Sequence, residues 1–338
     1  MGLDLSDREV LVLEGPGAKL EALILKTTGY SPRLLGRLRK YEPVLVHAHF
    51  GQDGATALPL ARKLKVPLLV TFHGSDANLS DGVFQASRSG RRYLRRRDQL
   101  KQGASGFIAV SKFIAARLVA QGFPDEKIQV HYIGVDVNWF QPERPEGGEK
   151  IVLFVGRLVE KKGCEYLIRA MEAVQAEMGD AELVVIGDGP LRGNLEVQAK
   201  ESLRRFRFMG ARSSNEIRDW MKRSTVLCTP SIVAESGDAE GLPIVILEAQ
   251  ASGLPVAAFA SAGIPEAVID GDNGFLAPEK DWRLLAEKLA KLLADADLRQ
   301  AFRIAGRKRV ETMFDLKQQT RKLEDIYEAS ISKKEYAK

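Results

Sequence analysis

Two glutamates on either side of a glycine- and proline-containing turn are the strongest candidates for chemistry in this 338-residue sequence. Glu240 and Glu248 flank residues 241–244, and an apolar run follows from Ile244. If that run is helical, its first amides are unpaired and the macrodipole adds about half a positive charge, which favours a bound phosphate. Gly241 would let an anion approach the backbone, and Pro243 suits a first helical turn because it lacks an N–H. The pattern predicts a clamp for a sugar and a ribose on either side of a diphosphate. A chance pair of solvated carboxylates is the alternative.

A basic loop could supply the charge that a diphosphate leaving group needs. The sequence VGRLVEKKG, residues 155–163, follows a predicted strand, and Gly156 frees the backbone there. Arg157 and Lys162 place two cations in this strand-to-helix loop, the arginine as a planar fork and the lysine as a point charge. We interpret the loop as a candidate diphosphate site, with an ordinary basic surface loop as the equal alternative.

A second glycine-rich turn, Gly187-Asp188-Gly189-Pro190, closes the next predicted strand. The glycine spacing does not fit a dinucleotide fingerprint, because three residues separate Gly189 from Gly193 and Pro190 looks like a helix start. We interpret it as a tight turn that passes close to a ligand. The earlier Gly15-Pro16-Gly17 is interpreted as a turn only.

Histidines follow two strands of the N-terminal half. His73 ends a strand and precedes Gly74 and Asp76, so it could hydrogen-bond a sugar hydroxyl; a structural histidine is the alternative. His47 and His49 alternate on one strand and share a face. A metal site would need a third ligand, which the sequence does not offer, so packing or cleft-rim roles are favoured and no metal site is predicted.

Short apolar runs alternate with helical patterns along the whole chain, which predicts parallel α/β sheets. The predicted strands span residues 9–13, 44–47, 67–72, 106–110 and 127–132, then 151–155, 182–186, 206–209, 225–228, 256–259 and 274–276. The predicted helices span residues 55–64, 112–121 with Ser111 as N-cap, 164–176, 191–203, 215–223, 244–252, 282–295, 296–314 and 316–331.

A segment rich in proline, glycine and charge, residues 141–150, predicts a linker between two α/β domains. We place an N-terminal domain at residues 1–143 and a C-terminal domain at 149–314. Two such domains predict a cleft, and ligands of open parallel sheets bind beyond the carboxyl ends of the strands.

Composition places the chain among ordinary globular proteins, with 45% apolar residues. The sequence has no apolar run near the ~20 residues that span a bilayer, and we expect no secretory signal. Its two cysteines, Cys164 and Cys228, indicate a reducing, cytoplasmic setting rather than a disulfide framework.

The net charge of +5 arises in the N-terminal half, mainly in residues 33–40 and 88–101. This charge favours peripheral contact with an anionic membrane or a lipid-linked acceptor, and a solvated helix face is the alternative. Only Tyr93 interrupts the second cluster, too little for a base-stacking platform, so nucleic acid is not predicted as a partner.

Together these motifs resemble those of the retaining glycosyltransferases of family 4, whose GT-B fold consists of two facing Rossmann-like domains. The matching stretches, in order, are HAHFG at 47–51, TFHGSD at 71–76, VGRLVEKKG at 155–163, IGDGP at 186–190, the pair Glu240 and Glu248, and IDGDNGFL at 269–276. The resemblance covers roughly residues 42–330. It implies that the last helix, within residues 315–338, crosses back to the N-terminal domain.

The resemblance also implies roles for the candidate residues. Arg157 and Lys162 would hold and stabilise the diphosphate of a UDP- or GDP-linked sugar. Glu248 would bind the ribose hydroxyls and Glu240 the donor sugar, while His73 would approach that sugar from the N-terminal domain. Further donor-binding positions would be Gly156, Gly187, Met209, Ala211, Gly241, Leu242, Pro243 and Ile244.

The implied reaction is sugar transfer with retention, by front-face departure and attack without an obligatory metal, to a glycan or lipid-linked acceptor. Compared with the family pattern, residues 1–8 are short and polar and 9–13 resemble a later strand. We therefore expect a shortened N-terminal domain that lacks an initial β-α portion. A non-catalytic sugar-nucleotide-binding fragment and another enzyme of the same fold are the alternatives. A phosphorylase is disfavoured because the sequence shows no pyridoxal-phosphate lysine motif.

Overall fold

The computed structural model describes residues 20–21, 24–25, 30–142 and 149–335, with side chains described to Ser332. The chain divides into two compact units. The first contains Met1–His131 and Thr320–Lys338, and the second contains Tyr132–Gln319. The strand predicted at 9–13 and the turn at 15–17 lie outside the described residues.

The first unit contains a parallel four-stranded sheet in the order β1-β2-β3-β4. Its strands are β1 Val46–His49, β2 Leu68–Phe72, β3 Gly106–Ala109 and β4 Ile128–Val130. Its helices are α1 Pro32–Arg39, α2 Gly51–Leu64, α3 Ser75–Asn78, α4 Asp81–Ala86, α5 Arg88–Gly103 and α6 Lys112–Ala120. Every residue of β2 is buried, including Thr71, which agrees with the mostly apolar sequence of this strand. Ser111 caps α6 as predicted, since its Oγ accepts from the amide of Ile114 at 3.1 Å.

The second unit contains a parallel six-stranded sheet in the order β10-β9-β8-β5-β6-β7. Its strands are β5 Ile151–Val155, β6 Glu182–Ile186, β7 Phe206–Gly210, β8 Val226–Thr229, β9 Val256–Phe259 and β10 Phe275–Ala277. Its helices are α7 Cys164–Glu177, α8 Arg192–Ser202, α9 Ser214–Arg223, α10 Ile244–Ala251, α11 Ile264–Ala267, α12 Trp282–Ala294 and α13 Ala296–Met313. The prediction of parallel α/β sheets is thus confirmed. Cys164 and Cys228 are both free and buried in the core, and burial raises the pKa of each thiol.

The final helix, α14 Leu316–Glu335, is divided between the units, because the first unit takes the chain from Thr320 onward. Within the first unit, the Tyr327 hydroxyl lies 2.6 Å from Nδ1 of His47. Ile326 and Ala329 line a small cavity together with Leu69 of β2. This part of α14 therefore packs on the first sheet.

The division between the units falls at His131/Tyr132 and Gln319/Thr320, whereas the sequence placed it at 143–149 and 315. The residues that follow His131 belong to the second unit because their hydrogen bonds are to residues of that unit. The Tyr132 hydroxyl donates to Glu266 at 3.0 Å, and the Val135 amide donates to the carbonyl of Phe314 at 2.8 Å. Residues 143–148 of the predicted linker lie outside the described residues, and Tyr132 and Val135, which precede them, already contact the second unit.

Several helices were not predicted, namely α1, α3, α4, α5 and α11. In α5, only Gly90, Tyr93 and Leu100 are buried among sixteen residues, so its apolar periodicity is weak and its arginines dominate. Within the described residues, no helix combines the length and apolar character needed to cross a membrane.

Candidate functional site

The strand order of the second sheet marks one location for a ligand. The chain moves outward from β5 through β6 to β7 and then returns to the other side of β5 at β8. Such a reversal leaves a crevice at the carboxyl ends of the two strands that flank it, where ligands bind in open parallel sheets. The loop carrying Arg157 and Lys162 follows β5, and the segment carrying Glu240 and Gly241 follows β8. The two candidate loops therefore both start at this reversal.

Backbone contacts hold these two loops together. Gly163 adopts φ +60°, and a Cβ there would lie 1.9 Å from the carbonyl oxygen of Pro230, so this position requires glycine. The Ile232 amide donates to the Lys161 carbonyl at 2.8 Å. The Glu235 amide donates to the Glu160 carboxylate at 2.8 Å. The loop after β5 is thus fixed against the loop after β8.

Two ion pairs connect the same loops. Lys161 pairs with Asp238 at 3.1 Å, and Nζ of Lys162 lies 2.7 Å from Oε1 of Glu240. The Lys162 and Glu240 side chains are only 16% and 10% exposed, so water screens this pair weakly. The Ser231 hydroxyl, 3.5 Å away, also faces Glu240. The structure brings together Lys162 and Glu240, which the sequence analysis assigned to different parts of a donor.

Helix α10 begins at Ile244, as predicted, immediately after this ion pair. Pro243 precedes the first turn with φ −73° and ψ 109°, and no side chain in the described part of the protein caps this end. The amides of Ile244 and Val245 therefore remain the open donors of the first turn. Gly241, Leu242 and Pro243 are buried, whereas Ile244 is exposed. This end of α10 can accept an anion beside the Lys162 ammonium.

Glu248 on α10 and Arg157 in the loop after β5 are the remaining charged side chains predicted to bind the donor. Glu248 lies one turn inside α10 and is half-buried, and burial raises the pKa of its carboxyl group. Arg157 is exposed, and its guanidinium has no ion-pair or hydrogen-bond partner among the described residues. An unpaired guanidinium keeps all its donors available to a phosphate.

Glycines join the carboxyl ends of β5, β6 and β7. The Gly156 amide donates to the Ile186 carbonyl at 3.0 Å, and the Gly187 amide donates to the Gly210 carbonyl at 2.9 Å. A Cβ on Gly187 would lie 1.8 Å from the Gly156 carbonyl oxygen, so the loops meet backbone to backbone. Met209 and Ala211 flank Gly210 at the end of the edge strand, Met209 half-buried and Ala211 exposed. The predicted tight turn at Gly187 is confirmed.

In the first unit, His73 belongs to a group of histidines at the carboxyl ends of β1 and β2. Nε2 of His73 lies 2.9 Å from Nδ1 of His49. His47 contacts the Thr71 hydroxyl at 2.7 Å and the Tyr327 hydroxyl at 2.6 Å, which fits a packing role. Burial, with the nearby histidines as a smaller cause, lowers the pKa of both His47 and His73 to about 4. The described residues contain no group of three His, Cys, Asp or Glu side chains placed to hold a metal ion.

A buried carboxylate, Asp76, fixes the backbone around these histidines. Its Oδ1 accepts from the amides of His73 at 3.1 Å and Gly74 at 3.0 Å, and its Oδ2 accepts from the amide of Gly51 at 3.1 Å. Burial raises the Asp76 pKa, and these backbone hydrogen bonds oppose that rise. Asp76 thus positions both the His73 loop and the start of α2.

Sequence reasoning missed three positioning residues. Asp76 was quoted within a motif but received no role, although its place two residues after Gly74 is a signal for a backbone-capping carboxylate. Ser231 and Glu279 gave no sequence signal. Glu279 accepts from the Val233 amide at 3.0 Å and from the Ser261 hydroxyl at 2.8 Å, so it braces the loop that leads to Glu240.

Comparisons with known proteins fit this geometry. The family model described as Glycosyl transferases group 1 matches residues 136–309, and that described as Glycosyltransferase Family 4 matches residues 3–139. The chain is 32% identical, over 72% of its length and 60% of the relative, to the putative colanic acid biosynthesis glycosyltransferase WcaL of Salmonella typhimurium. It is 31% identical, over 83% of its length and 69% of the relative, to the amylovoran biosynthesis glycosyltransferase AmsK of Erwinia amylovora.

A solved structure shows the same architecture. Anabaena Alr3699/HepE, crystallised in complex with UDP-glucose, superposes with a TM-score of 0.76 at 22% identity. The match covers 95% of this chain and 85% of that protein. At this identity the likeness shows the fold, which is GT-B. The chain spans 60% and 69% of the lengths of WcaL and AmsK respectively.

Proposed function

Because this chain belongs to the glycosyl transferases of group 1 and family 4, we propose that it transfers a sugar, with retention, from a UDP- or GDP-linked donor to a glycan or lipid-linked acceptor. The observation that carries the proposal is the buried Lys162–Glu240 pair beside the uncapped start of α10. A buried cation, open helical amides and a carboxylate are the groups that a sugar diphosphate needs.

In the proposed complex, the diphosphate lies at the start of α10. Arg157 and the first amides of α10 donate to its oxygens, and Lys162 supplies a compact positive charge. Glu248, half-buried one turn into the helix, binds the ribose hydroxyls. Glu240 accepts from hydroxyls of the donor sugar while it keeps the Lys162 ammonium in place. The glycine-lined strand ends at Gly156 and Gly187, with Met209 and Ala211, border the nucleoside.

The proposed catalysis is electrostatic. As the bond between the sugar and the diphosphate breaks, negative charge grows on the leaving phosphate. In this proposal, Arg157, Lys162 and the amides of α10 face that charge and stabilise the transition state more than the bound donor. The acceptor hydroxyl attacks from the face that the diphosphate leaves, which retains the anomeric configuration. No metal ion is required, because fixed cations neutralise the leaving group.

We propose that His73, in the first unit, hydrogen-bonds a sugar hydroxyl. Because its pKa is lowered to about 4, its imidazole is neutral near pH 7 and offers one donor and one acceptor. Asp76 accepts a hydrogen bond from the backbone amide of His73 and so fixes the backbone from which that ring projects.

The relatives and the charge of the first unit support an acceptor of the cell envelope. WcaL and AmsK are named for the biosynthesis of colanic acid and amylovoran. On α5, Arg88, Arg91 and Arg95 are exposed, whereas Arg97 pairs with Asp81 at 2.6 Å. We include in the proposal that this basic face meets an anionic membrane from the cytoplasmic side, where a lipid-linked acceptor would be held.

The test is a panel of UDP- and GDP-sugars, scored by thermal stabilisation and by slow donor hydrolysis. At least one donor should raise the melting temperature, since a ligand at 100 times its Kd stabilises the native state by about 2.7 kcal/mol. Arg157→Ala and Glu248→Ala should reduce that shift. Arg204→Ala and Glu172→Ala, which alter exposed residues of the same types in the second unit, are the matched controls.

Three outcomes separate the alternatives. No response to any donor, or equal responses in Arg157→Ala, Glu248→Ala and their controls, would remove the basis for the site. Stabilisation without hydrolysis or transfer would indicate a sugar-nucleotide-binding protein without activity. Transfer with the opposite anomeric configuration, read by NMR of the product, would contradict retention.

A further inference from the structure

A single residue, Phe50, connects strand β1 to helix α2. The strand ends at His49, and the helix starts at Gly51. The Phe50 amide donates to the Thr71 carbonyl at 2.8 Å, which extends the strand pairing by one residue. Its carbonyl accepts from the amide of Gly54 at 3.0 Å, which begins the helix. The chain therefore turns from strand to helix within one residue.

This turn places Phe50 in a strained conformation. Its φ is +69° and its ψ is 140°, a region that bulky side chains rarely occupy and that glycine tolerates. Among the described non-glycine residues with positive φ, Phe50 is the only aromatic one. Phe50 is nevertheless 43% exposed, so core packing does not explain why a large apolar residue stands there. Strain of this kind concentrates at functional positions.

Close packing under the turn enforces the strain. A Cβ on Gly51 would lie 2.6 Å from the Phe72 ring, and a Cβ on Gly54 would lie 2.7 Å from the Val70 side chain. These glycines let α2 sit directly on the sheet. Asp76, nine-tenths buried or more, accepts from the Gly51 amide and ties the helix start to the loop after β2. The result is a rigid support that holds the Phe50 ring outward.

The surroundings of the ring define what it can bind. The centroid of the Phe50 ring lies 4.9 Å from that of His73, with the planes tilted by 46°. His73 in turn meets His49, which is exposed. An aromatic face beside two imidazoles matches a pyranose ring, because the C–H face of the sugar packs on the aromatic face and its hydroxyls reach the imidazole nitrogens.

We propose that Phe50, held outward by the strained β1–α2 turn, stacks on a pyranose ring of the acceptor. The inference rests on the proposed function. The acceptor is assigned rather than the donor because the charged and amide groups suited to a sugar diphosphate are on α10 and the loop after β5, in the second unit. The ring contributes contact area and orientation, so its loss weakens acceptor binding while the donor site is unchanged.

The experiment compares acceptor-dependent transfer with acceptor-independent donor hydrolysis in the full chain. The acceptor probes are the α- and β-methyl glycosides of glucose, galactose, mannose and fucose. Phe50→Gly removes the ring, and because glycine tolerates φ +69° with ψ 140°, the variant should fold at least as well as the parent protein. It should raise the acceptor KM about five- to tenfold and leave the rate of donor hydrolysis unchanged. Phe50→Tyr, which keeps the ring, should retain the parent KM.

Val119→Asn, which alters an apolar residue of α6 that is equally exposed, is the control for a general surface effect. The inference is overturned if Phe50→Gly transfers with the parent KM or if Val119→Asn loses transfer equally. It is also overturned if the parent protein neither transfers to any of these glycosides nor binds them in saturation-transfer NMR. Donor hydrolysis by the parent protein keeps the two proposals apart. If hydrolysis persists while Phe50 proves irrelevant, only the stacking inference fails, whereas a parent protein that neither binds nor hydrolyses any donor ends both.

Discussion

Removing the Lys162 ammonium should destabilise the second unit strongly. The ammonium lies 2.7 Å from Oε1 of Glu240, and the two side chains are 16% and 10% exposed. Breaking a buried ion pair costs about 3–5 kcal/mol, because a charge is left without a partner. Discounted for the remaining exposure, Lys162→Met should lower the free energy of unfolding by about 2–4 kcal/mol. The Ser231 hydroxyl at 3.5 Å is too distant to replace the lost cation.

A double-mutant cycle separates the pair from the individual side chains. Glu240→Gln should cost a similar amount, since it leaves the Lys162 ammonium uncompensated. The double variant should recover about 1–2 kcal/mol relative to the sum of the single changes, because neither charge is then left alone. Arg169→Met is the control: its pair with Glu165 is 4.0 Å long with side chains 50% and 44% exposed, so its loss should cost less than about 0.5 kcal/mol.

Urea denaturation followed by tryptophan fluorescence measures these changes. The three tryptophans, Trp139, Trp220 and Trp282, all belong to the second unit, so the signal reports on the unit that contains the pair. Single variants that lose less than about 0.5 kcal/mol, with additive effects in the double variant, would show that water screens the pair. The argument from a buried charge at the start of α10 would then fail.

Two further outcomes follow from backbone crowding and from titration. Gly187→Ala should destabilise the protein by at least about 3 kcal/mol, because Gly187 has a positive φ and the new Cβ would lie 1.8 Å from the Gly156 carbonyl oxygen. The control, Gly193→Ala, adds a Cβ in open space on α8 and should be neutral or stabilising by about 0.5 kcal/mol in the same denaturation assay. Because the native pKa values of His47 and His73 are near 4 and their unfolded value is 6.5, the unfolded state binds more protons between these limits. The free energy of unfolding should therefore fall as pH drops from 6.5 to 4, and it should fall less in His47→Gln. Urea denaturation followed by circular dichroism at each pH measures this, and the same pH dependence in the variant and the parent protein would contradict the prediction.

The fold was predictable where the sequence carries an unbroken local signal. Strands β5, β6 and β9 are short apolar runs between polar segments, and the structure has the predicted bounds for each. Helix α5 was not predictable from periodicity, because only three of its 16 residues are buried and arginines dominate the rest. The unit boundary was not predicted for a different reason. Tyr132 and Val135 belong to the second unit because they form hydrogen bonds with residues more than a hundred positions away in the sequence.

The candidate site was predictable as a set of residues but not as a set of contacts. Lys162 and Glu240 each lie in a recognisable motif, yet their pairing depends on Gly163 touching Pro230 across two loops. Gly187 and Gly193 look alike in the sequence and differ entirely in space, one pressed against a carbonyl and the other with no atom within 4 Å. Long-range backbone approach leaves no local pattern, so these distinctions require coordinates.

The division of the chain has a consequence for its synthesis. The second unit is one continuous segment, Tyr132–Gln319, but the first is completed only by residues beyond Thr320, which bring Tyr327 onto His47. During synthesis, the whole second unit is therefore made before the part of α14 that completes the first unit. The first unit should therefore complete its folding after the second, which reverses the common order in which the N-terminal domain folds first.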